Sequence, residues 1–120
     1  MQTESNMSFI AEEADWIGSI TPDQKIRFLA RLSFEITIAA RHTYEAGTDD
    51  LTNPRQLRRI NEILHRVTAC LSQLLAGTCK DGFDRSMPEW VLSEQDVELR
   101  HILEWTWGRA KRHVGNSSSH

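Results

Sequence analysis

The sequence predicts an all-α protein: a small four-helix bundle-like single domain with mostly antiparallel neighbours. Apolar residues recur at three- and four-residue spacing through long segments, and helix-opening and helix-closing signals bracket those segments. No stretch alternates apolar and polar residues as a half-buried strand would. A chain of 120 residues is one domain by length, with enough surface to bury a core without disulfides or metal.

The openings are written in capping chemistry. In Thr21-Pro22-Asp23-Gln24, Thr21 can cap, Pro22 fits the first helical position and Gln24 can reach back to the cap amide. Asn53-Pro54-Arg55-Gln56 repeats that logic, and Ser93-Glu94-Gln95-Asp96 puts acids where the helix dipole favours them. Gly47 and Gly77 read as stops. Helices are therefore expected at about 8–19, 22–46, 54–76 and 94–113. Residues 78–92 are expected to form a loop, with at most one helical turn near Pro88 to Leu92. Residues 1–7 are expected to be a flexible lead to the helical domain at 8–114, and 115–120 a disordered tail.

Each helix shows a core face. The third is the cleanest, with Leu57, Ile60, Ile63, Leu64, Val67, Cys70, Leu71, Leu74 and Leu75 on one side. Leu99, Leu103, Trp107, Ala110 and Val114 form the stripe of the fourth; Phe9, Trp16, Ile17 and Ile20 form that of the first. The second helix is broader: Ile26, Phe28, Leu29, Leu32, Ile36, Ala39, Ala40 and Tyr44 face inward. Phe34 and Ile38 break its pattern, standing on the opposite face among Arg27, Arg31, Glu35, Arg41 and Glu45.

That break carries the leading functional expectation, a non-enzymatic protein that works through protein–protein binding as a homodimer. Phe34 and Ile38 would pair across a twofold axis, with Arg31 and Arg41 of one chain meeting Glu35 of the other. Trp105, placed off the core stripe near Arg109, and Trp90, placed in the loop segment, are the further interface candidates, since exposed tryptophan anchors interfaces. Arg109, one turn on, could alternatively lie over Trp105 as a cation–π partner. Eleven of the fourteen basic residues are arginine, the cation suited to interfaces and partly buried pairs.

Two other classes compete. Glu62 with His65 and Glu98 with His101 are Glu-x-x-His pairs, the spacing with which helical bundles chelate paired metal ions, and Glu13 and Glu35 could supply the remaining carboxylates. All four pair members fall outside the apolar stripes or at their margins, so no metal or cofactor is expected. Arg55, Arg58, Arg59 and Arg66 on the third helix form a basic face that could meet an acidic partner or a phosphate backbone, with Asp49 and Asp50 as the local counter-charge. A net charge of −3 argues against nucleic acid and against anionic membrane as partners.

Cys70 and Cys79 make no disulfide framework; Cys70 reads as a small core residue and Cys79 as a loop thiol beside Lys80. The amino terminus lacks a signal-peptide pattern and no apolar run approaches membrane-spanning length. A cytoplasmic location is the expectation.

Overall fold

In the computed structural model, which describes residues 2–46, 52–78 and 83–118, the chain forms five helices and, among those residues, no strand. They are α1 (Gln2–Ser19), α2 (Pro22–Ala46), α3 (Thr52–Ala76), α4 (Phe83–Leu92) and α5 (Val97–Ser118). The all-α bundle-like class is the one expected, with one helix more. α2 packs along both α3 and α5, while α1 packs on α4.

Two termini follow the sequence signals closely. At the start of α2 the Thr21 amide donates to Gln24 Oε1 at 2.9 Å and the Gln24 amide donates to Thr21 Oγ1 at 3.1 Å. This is the reciprocal capping box. At the end of α3, Gly77 takes φ +73°, its amide donates to Leu74 O, and the Thr78 amide reaches back to Gln73 O. A residue with a side chain resists that left-handed backbone, so glycine closes the helix.

Other boundaries moved. α5 begins at Val97, and its cap is Asp96 rather than Ser93: Asp96 Oδ1 accepts the Leu99 amide at 3.1 Å. Glu94 instead accepts from Arg59 Nε at 2.8 Å, a contact across the bundle that holds it outside the helix. α1 starts at Gln2, ahead of the expected start near Ser8, and α5 continues to Ser118, past the expected end near His113. Gly47, Asp49, Asp50, Cys79 and Lys80 lie outside the described residues, and of the Asn53 side chain nothing is described.

The segment expected to be a loop contains α4, with Pro88 inside it. Proline removes one backbone donor and costs on the order of 3 kcal/mol in a helix interior, so sequence reasoning argues against a helix there. Burial offsets that cost: Met87, Val91 and Leu92 are fully buried against the other helices. At ~1.5–3 kcal/mol per buried apolar side chain, three such residues outweigh one lost donor.

At the centre Phe28 of α2 stands between two tryptophans. Its ring meets Trp16 of α1 at 5.0 Å and Trp107 of α5 at 4.9 Å, both edge-on at 76°. Around them lie Ile17, Leu29, Leu32, Ile36, Ile60, Ile63, Val67, Leu99, Leu103, Ala110 and Val114. The stripe of the last helix is buried throughout as expected. Two residues assigned to core faces are not core: Tyr44 is 69% exposed and Leu75 66%. Both lie at the edge of their stripes: in the same last turns Thr43 is buried and Leu74 half-buried, while Tyr44 and Leu75, one residue on and about 100° round the helix, point aside.

Candidate surface between α2 and α5

α2 and α5 run antiparallel. Glu35 of α2 is level with Arg109 of α5, and His113, one turn further along α5, lines a shallow cleft with Arg27, Ala30, Arg31 and Phe34, earlier along α2. The same register puts Trp105, one turn before Arg109, level with Ile38, one turn after Glu35.

Glu35 organises this seam. Its side chain is only 2% exposed, and two arginines converge on it: Arg109 Nε donates to Oε1 at 2.9 Å and Arg31 Nη2 lies 2.9 Å from Oε2. The second contact is an ion pair without hydrogen-bond alignment, so Glu35 Oε2 and the neighbouring Arg31 Nε are both buried with no hydrogen-bond partner. Each arginine then lies over an aromatic ring. The Arg31 guanidinium is 5.0 Å from the Phe34 centroid and that of Arg109 is 4.9 Å from the Trp105 centroid. A contact chain results: Phe34, Arg31, Glu35, Arg109, Trp105. Both terminal rings are 51% exposed.

Sequence reasoning found the exposed Phe34 and the Arg109 cover of Trp105, and it placed Ile38 rightly off the core stripe, half-buried. It misjudged Glu35. Assigned to an exposed charged face, to meet a partner's arginine or a metal, Glu35 is buried and held by two arginines of its own chain. The helical wheel of α2 alone could not show this, because the second arginine comes from α5. Arg41 is exposed and makes no ion pair among the described residues. Trp90 is also corrected. It lies in α4 rather than a loop, half-buried against the core, with the Arg66 guanidinium 4.1 Å from its centroid.

A second buried carboxylate escaped the sequence reading as well. Glu13 of α1 accepts from the indole Nε1 of the core residue Trp107 at 2.6 Å and from Lys111 Nζ at 3.0 Å, and Lys111 also lies over Trp16. On sequence grounds Arg109, Lys111, Arg112 and His113 form a basic cluster suited to the end of a helix, but α5 runs on past them to Ser118. Of these four, Arg109 and Lys111 serve Glu35 and Glu13.

The Glu-x-x-His pairs do not assemble. Glu62 and His65 lie exposed on α3, where Glu62 pairs with Arg59 at 3.2 Å, while Glu98 and His101 lie exposed on α5. Glu13 and Glu35 are engaged as described. Among the described residues no three His, Cys, Asp or Glu side chains gather in one place.

On α3 an open groove of about 820 Å³ is lined, among the described residues, by that helix alone, including Arg58, Arg59, His65 and Arg66. Two of the four arginines of this face are committed internally. Arg59 bonds Glu94, which with Glu62 holds the guanidinium above its ordinary pKa, and Arg66 covers Trp90. Arg55 and Arg58 are exposed.

No helix of the described residues is long and apolar enough to cross a membrane. No protein-family model, curated protein or solved structure matches this chain.

Proposed function

We propose that this chain acts by protein–protein binding through the seam of α2 and α5, with Phe34, Ile38 and Trp105 as its apolar anchors. The observation that supports it is the contact chain through Glu35. Two aromatic rings stay half exposed while each is held against an arginine, and both arginines converge on one buried carboxylate. Burying that carboxylate opposes folding unless its partners compensate, so the seam is a costly way to build an inert surface. Rings already ordered lose little entropy on meeting a partner, which is how a small patch contributes most of a binding energy.

Self-association is the form of this reading in which the partner is a second copy. Glu35 can take no part in it, so a twofold contact would rest on the apolar residues alone. Sedimentation at micromolar concentration tests that form, with a species near twice 13.8 kDa as the supporting result. The general reading is tested by retention of proteins from the native cell extract on the immobilised chain. Discrete proteins should be held by the wild type and lost with Phe34→Glu plus Trp105→Glu, at unchanged helicity and melting. Equal retention by both removes the seam as the binding surface.

A further inference from the structure

We infer that the partner of the α2–α5 seam is an acidic amphipathic helix, laid along α2 between Arg27 and Arg41. This rests on the reading of the seam as a binding surface and adds the chemistry of its occupant. Arg27, Phe34 and Arg41 are spaced by seven residues, two helical turns, and so stand on one exposed line of α2. Ile38 and Ala30 flank that line, and Trp105 borders it from α5. The line is therefore helix-spaced and about 21 Å long from Arg27 to Arg41, apolar in its middle at Ala30, Phe34 and Ile38 and cationic at both ends, which matches roughly four turns of a partner helix.

Charge decides the sign of the partner. Arg27, Arg31, Arg41 and Arg109 bring four of the chain's eleven arginines to this seam, on a chain whose net charge is −3. The one carboxylate between them, Glu35, is buried and already held, while Asp23 and Glu45 stand one turn beyond Arg27 and Arg41 at the two ends of the line. A second copy presenting the same face would set arginines against arginines. An acidic helix sets carboxylates against them, and forked guanidinium groups fixed over rings suit carboxylate oxygens. Arg27 and Arg41, exposed and without an ion pair among the described residues, are the two cations free to turn toward it.

The test uses the full chain and three labelled probes: an amphipathic helix of about 16 residues with leucine on one face and glutamate elsewhere, the same peptide with lysine for glutamate, and a random-sequence single-stranded oligonucleotide. Anisotropy should report binding of the glutamate peptide alone, weakening with added salt. Amide and indole resonances should place it, with the Trp105 indole shifting and that of buried Trp107 unmoved. Arg27→Gln plus Arg41→Gln should weaken it by about tenfold or more without changing the melting temperature. Equal binding of the two peptides, no binding of either, shifts that avoid Trp105, preference for the oligonucleotide, or a dimer that buries Trp105 would each overturn the inference. Protein retention that still depends on Phe34 and Trp105 while the acidic peptide fails would leave the seam a binding surface and reject only the acidic helix.

Discussion

Glu13 and Glu35 are the same device used in two places. Each is a buried carboxylate, each is met by a cation from α5, and each of those cations lies over an aromatic ring. They differ in what stands behind the ring. Around Glu13 the contacts close inward: its other oxygen accepts from Trp107, whose indole packs on Phe28 at the centre of the core. Around Glu35 the contacts open outward, through Arg31 and Arg109 to rings that are half exposed. A buried charge with a buried donor behind it ties helices together. A buried charge with half-exposed arginines behind it orders a surface.

That contrast can be broken by mutation, and the largest effect lies on the inward side. Trp107→Ala removes the hub of that side and should lower stability by about 3–5 kcal/mol, read as a shift of the urea midpoint. If it costs no more than a surface change, the closed side is not what holds α1 to α5.

Glu13→Ala comes next, at about 2–3 kcal/mol, because it leaves the Trp107 indole N–H buried without an acceptor. Glu13→Gln, which keeps an acceptor, should recover about half of that loss in the same urea titration. Equal costs for the two would mean that the charge on Glu13, and not the hydrogen bond, carries the tie.

Glu35→Ala should cost less, about 1–2 kcal/mol, since Arg31 and Arg109 are 32% and 42% exposed in their side chains and can turn to water. Its clearer signature is dynamic: the Trp105 indole resonance should broaden or move while that of Trp107 stays in place. A cost matching Glu13→Ala would erase the difference between the two sites.

The smallest effects belong to the rings themselves. Phe34→Ser and Trp105→Ser should each change stability by no more than about 0.5 kcal/mol, as substitutions at half-exposed sites do. Thermal melts followed by circular dichroism check this, and a loss of several degrees would place either ring in the core.

Regular local chemistry was legible in the sequence. The Thr21 capping box, the Gly77 close of α3 and the Leu99 to Val114 stripe depend on residues within one or two turns of each other, and a single helix contains all the information they need. The exposed Phe34 was legible for the same reason, as a break in one helix's period. α4 was not, because a proline that disfavours a helix locally is outweighed by buried Met87, Val91 and Leu92, and that burial exists only once α1 and the bundle are in place. The Asp96 cap was missed for a related reason, since Arg59 of α3 draws Glu94 away from the helix start.

The sequence by itself determined that this chain is helical, where most of its helices run and which side of each faces in, because those follow from periodicity and capping along the chain. Only the tertiary structure decided the fates of the charged residues. Glu13 and Glu35 look like any surface glutamate on a helical wheel, and become buried ties because Lys111 and Arg109 arrive from α5, 98 and 74 residues away. An ionised carboxylate is buried at tolerable cost where cations and hydrogen-bond donors offset its lost hydration, and no local pattern records partners supplied by another helix.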